Sequence, residues 1–254
     1  WKYDANVAQV PLGEQADEPT NIPVQAAVVC EDGWVSIAPE WQSILTWSDT
    51  TIDECIEGPR DAFQFWMDHG QHPGMRLSLS AGVVIDQPII IRIRQCQSTS
   101  HPTHYRHALD LGEHAKATVC CVFEGNDHQH WLHHHMSIKL ATGAQLSQFE
   151  IHQSAKSSEV LSSSRVWVGD HAHYALRTHQ EGAKLNRHTI SCMLSGLAAK
   201  ADLKGVMKGS SSDCLSQIIQ VWHQGERSTS QQVYRSLVAD QAQSVWHSTV
   251  TAEP

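Results

Sequence analysis

From about residue 75 to the end of the chain, apolar and polar positions alternate with a period of two, in short stretches separated by turn signals. Leu146, Gln148 and Glu150 alternate with Ser147, Phe149 and Ile151. Ile190, Cys192 and Leu194 alternate with Thr189, Ser191 and Met193. Successive side chains of a strand point to opposite faces, so each stretch predicts a strand. The turn signals recur. Gly112-Glu113-His114-Ala115, Thr142-Gly143-Ala144, Gly169-Asp170-His171-Ala172 and Gly196-Leu197-Ala198 each precede a strand pattern, and Asp240-Gln241-Ala242 closes the set. Ala115, Ala144, Ala172 and Ala198 are 29, 28 and 26 positions apart, and the last step, to Ala242, is 44, which reads as one degenerate unit. A unit of this size cannot bury its own apolar face, so neighbours must stack. Short strands with turns at near-fixed spacing suggest a barrel, a sandwich or a β-solenoid. As a solenoid, the region is a stack of parallel strands of about three to eight residues, turning near Gly112, Gly143, Gly169 and Gly196.

The chain before residue 75 is different. Residues 1–25 are polar, with Pro11, Pro19 and Pro23, and read as an extended connector. Ala27-Val28-Val29 and Trp34-Val35 flank Asp32-Gly33, a tight-turn dipeptide, which predicts a hairpin. Residues 41–69 mix acids and aromatics around Gly58-Pro59 and predict one or two short helices. Pro88 before Ile89-Ile90-Ile91-Arg92-Ile93-Arg94 suits the first residue of a strand. The serine-rich stretch Ser154 to Ser164 predicts a loop. Two regions follow: 1–74 as connector, hairpin and short helices, and 75–254 as the repetitive β region.

With 254 residues the chain can bury a substantial core. Its net charge of −9 disfavours nucleic acid and anionic membrane as partners. The longest apolar run, Ala81 to Ile93, is broken by Asp86, Pro88 and Arg92, so it is no membrane span. No signal peptide is visible, and a first residue of Trp places the start inside a longer product. Seven cysteines, an odd number without a Cys-x-x-Cys pair, support neither a disulfide framework nor a zinc knuckle. They favour a reducing, cytoplasmic setting. Cys120 and Cys121 should face opposite sides of one strand, and Cys120 and Cys192 are expected to be inert core thiols.

The 18 histidines equal the Lys+Arg total. His128 with His130, and His171 with His173, have the spacing that puts two rings on one strand face, where a third ligand would complete a divalent metal site. The simpler reading is a solvated outer face. In His133-His134-His135 the faces alternate, so only His133 and His135 could cooperate. His101, His104 and His107, three apart, read as structural, and Arg106 and Asp110 as a surface ion pair. Gly205-Val206-Met207-Lys208-Gly209-Ser210 lacks the order of a phosphate loop and reads as a turn. Trp222 and Trp246 read as packing residues rather than a carbohydrate-stacking ladder. No residue is assigned a catalytic, cofactor-binding or metal-ligating role.

Several patterns, in order, resemble the SufB/SufD family of the SUF iron–sulfur cluster assembly system, on its SufD side. They are Trp1-Lys2-Tyr3; Val28-Val29-Cys30-Glu31-Asp32-Gly33-Trp34-Val35; Ala62-Phe63 with Gly82-Val83-Val84-Ile85-Asp86-Gln87-Pro88-Ile89; and His104-Tyr105-Arg106-His107 with Leu109-Asp110-Leu111-Gly112-Glu113. Gly182-Ala183-Lys184-Leu185, Arg187-His188 and Leu194-Ser195-Gly196 also fit. The resemblance implies an all-β protein, a right-handed parallel β-helix preceded by a small α+β segment. It implies a non-catalytic scaffold subunit working with a SufB-like paralogue and a SufC-like ATPase, with the iron–sulfur cluster held at the level of the full complex and no cofactor on this chain. The family continues into a Cys-Ser-His-Gly stretch and a helical domain that docks the ATPase. Thr251-Ala252-Glu253-Pro254 precedes any such stretch, so no site residue is carried over, and residues 1–254 alone are expected to bind neither ATP nor the ATPase. A β-helical carbohydrate-active protein and a standalone metal-binding β protein are the alternatives.

Overall fold

The computed structural model describes residues 27–31, 34–41, 46–48, 76–95, 102–125 and 131–253. The alternating stretches become strands β5 (Ile89–Gln95), β6 (Thr103–Leu111), β7 (Lys116–Gly125), β8 (Trp131–Leu140), β9 (Gln145–Ser154), β10 (Glu159–Val168), β11 (His173–Gly182), β12 (Leu185–Leu194), β13 (Lys200–Gly209), β14 (Cys214–His223), β15 (Thr229–Val238) and β16 (Gln243–Ala252). Each from β5 to β14 pairs in parallel with the strand two further along. Odd-numbered strands therefore build one sheet and even-numbered strands the other. Six coils stack in this way, and the molecule is a parallel β-helix, the solenoid among the folds its spacing suggested and the one the family resemblance implied. From β7 onward the strands are ten residues long, longer than expected. A coil of 26 to 29 residues is two such strands and two tight turns, with no third face.

The hairpin also forms. Strand β1 (Val28–Glu31) pairs antiparallel with β2 (Trp34–Ile37) and parallel with β5. In the other sheet, β3 (Thr46–Ser48) pairs antiparallel with β4 (Arg76–Leu79), which pairs in parallel with β6. Antiparallel strands thus close the first edge of both sheets. Of the span 41–69, expected to hold short helices, only Trp41 and Thr46–Ser48 are described, and Thr46–Ser48 is strand β3 rather than helix. Trp41 ends the single described helical turn, Pro39–Trp41.

Two readings of the sequence are corrected here. Carbonyls of Ala115, Ala144, Ala172 and Ala199 accept from Gln145, His173, Lys200 and Thr229 of the next coil, so the stacked alanine is Ala199 and not Ala198. Ala198 belongs instead to a column of left-handed residues with His114, Gly143, His171 and Arg227. Ala242 sits at the opposite corner, next to β16, and its carbonyl-side neighbour Gln243 bonds Asp213. The step of 44 is therefore one coil plus half a coil, not a degenerate repeat. The serine-rich stretch is not a loop either. Only Ala155 to Ser158 turn, and Ser162, Ser163 and Ser164 lie in β10, all buried.

At the corner between β11 and β12 the turn is only two residues, Ala183 and Lys184. It is entered with φ of 77° at Gly182 and 79° at Ala183. A Cβ on Gly182 would lie 2.3 Å from the Ser154 carbonyl oxygen. The missing side chain lets this coil close early and sit directly on the previous one.

Candidate functional site

Strand alternation decides which side chains enter the space between the sheets, and parallel register stacks them in columns. In the odd sheet one column reads Ile91, Cys121, Glu150, Thr178, Gly205, Tyr234, and the next Ile93, Phe123, His152, Gln180, Met207. In the even sheet the facing columns read Tyr105, His134, Ser162, His188, Gln217 and His107, Met136, Ser164, Ile190, Ile219. In these columns the first coils are mostly apolar, with His107 and His134 as their buried polar side chains. The middle coils are polar, and Gln148, Glu150, His152, Ser164 and His188 are each no more than 1 % exposed.

These five residues touch. Glu150 Oε1 accepts from Gln148 Nε2 at 2.7 Å and from Ser164 Oγ at 3.3 Å. Gln148 is itself oriented by Tyr174, whose hydroxyl donates to Gln148 Oε1 at 2.9 Å. The other carboxylate oxygen, Oε2, lies 3.4 Å from His152 Nε2 and 3.2 Å from His188 Nε2. Phe123 stacks flat on the His152 ring, with centroids 4.1 Å apart and planes 10° apart. Strands β7, β9 and β11 of one sheet and β10 and β12 of the other are needed to assemble this arrangement.

Its electrostatics follow from burial. Loss of water pushes the His188 imidazole down to about 4, partly opposed by the Glu150 charge, so it is neutral at neutral pH. Burial alone would raise Glu150. The positive potential of His188 and the hydrogen bonds from His152 and Ser164 outweigh that and hold it below the usual carboxylate range. The core thus holds a carboxylate whose Oε2 faces the His152 and His188 rings. Further along the interior, burial drives His107 down to about 3, and Cys30 Sγ lies 3.7 Å from its Nε2.

The residues singled out from the sequence land elsewhere. His128, His130 and His101 lie outside the described residues. His171 takes a left-handed turn conformation before the strand begins, so it does not share a strand face with His173. His133 and His135 do share the outer face of β8, both buried, and His135 Nδ1 is 2.8 Å from Ser163 Oγ. His134 faces inward. His104 and His107 fall on opposite faces, because residues 103–111 are strand. Asp110 is paired with Arg76 of β4 at 2.6 Å and not with Arg106. Arg106 and Asp110 lie four residues apart along one strand, about 13 Å, while Arg76 is on the neighbouring strand. Gly205 to Gly209 are strand, not turn: a Cβ on Gly205 would lie 2.2 Å from Thr178 Oγ1 and 2.4 Å from the Tyr234 ring.

Cys120 and Cys121 face opposite sides as expected, but the core thiol is Cys121. Cys120 is on the outer face and half-buried. Cys192 is fully buried. Trp222 is half-buried on the outer face of β14. Trp246 stacks near Tyr234 at 6.1 Å in the last coil, so the two form no exposed ladder. The Glu150–His152–His188 cluster was not read from the sequence. Its one local signal is that Gln148, Glu150 and His152 share parity with Leu146, the apolar residue that follows the turn, so the whole set points inward.

No helix among the described residues is long and apolar enough to cross a membrane. None of the curated proteins matches the chain. The family described as SUF system FeS cluster assembly, SufBD core domain, matches residues 93–254, a span that begins in β5 and runs through every later coil. A family match over well over half of the chain, coincident with the stacked coils, settles the lineage: the chain belongs to the SufBD core-domain family of the SUF iron–sulfur cluster assembly system.

Proposed function

We propose that this chain is a SufD-type, non-catalytic scaffold subunit, acting in the cytoplasm in a complex with a SufB-like paralogue and a SufC-like ATPase. The observation that carries this reading is the SufBD core-domain match across the coils. Stacked coils support it physically. Each coil contacts only its neighbours, so a parallel β-helix is a long rigid body that presents continuous strand rows to partners without needing to move. The His-Tyr-Arg-His sequence at 104–107 is the feature that leans toward the SufD side of the family. The iron–sulfur cluster is then the cargo of the complex.

Co-expression with a SufB-like and a SufC-like protein tests it. The expected result is one co-migrating complex on gel filtration, faster cluster assembly by that complex than by the two partners without this chain, and no ATP turnover by the chain alone. Failure to join either partner, or ATP hydrolysis by the isolated chain, would reject the scaffold reading.

A further inference from the structure

We propose that Glu150, His152 and His188 form a divalent transition-metal site inside the β-helix. The inference rests on the geometry of the core and is independent of the scaffold assignment.

The three candidate ligand atoms lie within 4.8 Å of one another, on two strands, β9 of one sheet and β12 of the other. Donors placed about 2.0–2.1 Å from a tetrahedral metal are separated by about 3.3–3.4 Å along each edge. The two Nε2-to-Oε2 separations, 3.4 and 3.2 Å, already have that value. One carboxylate oxygen and two imidazole nitrogens form a donor set that suits zinc, iron(II) or cobalt(II) rather than magnesium or calcium, which prefer all-oxygen shells.

The surroundings are arranged as a ligand shell. Gln148 and Ser164 donate to Glu150 Oε1, which fixes the carboxylate and leaves Oε2 aimed at the histidines. Such outer contacts orient metal ligands and tune their affinity. Phe123 holds the His152 ring plane. Ser164 Oγ, 3.4 Å from His188 Nε2, stands where a fourth, weaker oxygen donor would come from. The Nδ1 atoms of His152 and His188 have no hydrogen-bond partner among the described residues. Each ring can therefore carry its proton on Nδ1 and turn the Nε2 lone pair to the centre. A carboxylate buried this deeply is costly, on the order of several kcal/mol, and a cation beside it offsets that cost. Because the three side chains are no more than 1 % exposed, the metal enters as the chain folds, or very slowly afterwards.

The chain is unfolded, then refolded with cobalt(II) or zinc(II), and passed over a weak chelator. The expected result is one retained metal per chain, with the intense visible absorption of tetrahedral cobalt(II). Glu150→Gln and His188→Gln, each checked for native far-ultraviolet dichroism, should lower affinity by about 100-fold or more. A His171→Gln/His173→Gln control at the exposed turn should leave it unchanged. X-ray absorption of the loaded wild-type chain, which needs no variant to fold, should show two imidazoles in a shell of nitrogen and oxygen. No retained metal, unchanged affinity in the folded core variants, loss only in the turn control, or a sulfur-dominated shell would each overturn the proposal.

Discussion

Cys120 and Cys192 show how one position of strand parity separates two chemically identical side chains. Cys192 points between the sheets, and burial raises its thiol from 9.0 to about 12. At pH 8 its thiolate fraction is about 1000-fold lower than that of an ordinary cysteine. Alkylation of the native protein should therefore modify Cys120 and spare Cys192 until unfolding, as peptide mass mapping would show. Fast native labelling of Cys192 would contradict its placement. His107 gives a second test. Its folded value, about 3, is below the unfolded value of 6.5, so between these pH values the unfolded state holds the extra proton. Its contribution to stability is complete above about pH 6.5 and is lost as pH falls toward 3, at a limiting slope of about 1.4 kcal/mol per pH unit. Urea unfolding between pH 7 and 4.5 should show that slope reduced by one proton in His107→Phe. An unchanged slope would mean that the ring is already solvated in the native state.

At the scale of the element, the corners are where coils touch most closely. The amide of Gly225 donates to the Leu194 carbonyl, and a Cβ added there would lie 1.9 Å from the Gly196 carbonyl oxygen. Backbone cannot yield as a flexible side-chain end does. Gly225→Ala should thus cost about 2 kcal/mol or more, read as a lower denaturation midpoint. Equal stability would show that the corner can shift outward. Strand β10 carries the element-scale lesson about legibility. Its serines resembled a loop because composition alone cannot tell a solvated serine from a buried one. In the structure Ser163 meets His135, and Ser164 meets Glu150 and His188, so small hydroxyls are what the facing histidines and carboxylate require.

In the stack formed by residues 1–254 prepared by themselves, stability should be graded from the middle coils to the last. Middle strands pair on both sides, whereas β15 and β16 each stand last in their sheet. Leu237, Val245, Trp246 and Val250 are about half exposed or more. In a solenoid each coil is stabilised by its neighbours, so a coil with one neighbour opens first. Amide exchange should be slowest in β8 to β12 and fastest in β15 and β16, and Trp246 fluorescence should respond to denaturant before the far-ultraviolet signal. Uniform protection from β7 to β16 would refute the gradient.

The sequence by itself determined the strands and their turns, because period-two alternation and a repeat of 26 to 29 residues are local properties of the chain. That pattern also suited a barrel or a sandwich, and parallel pairing of every second strand decided for the solenoid. The hairpin at Asp32-Gly33 and the opposite faces of Cys120 and Cys121 followed from the same local rules. What only the tertiary structure decided was which parity faces inward where both sets mix apolar and polar residues. In β9 the inward set is Leu146, Gln148, Glu150 and His152, and Phe149 is left 41 % exposed. Closure of the two sheets then brings His188 to Glu150 across 38 residues of sequence and the width of the core. No spacing rule along the chain encodes that meeting. It depends on how many coils separate the two strands and on which residues of the facing sheet lie opposite.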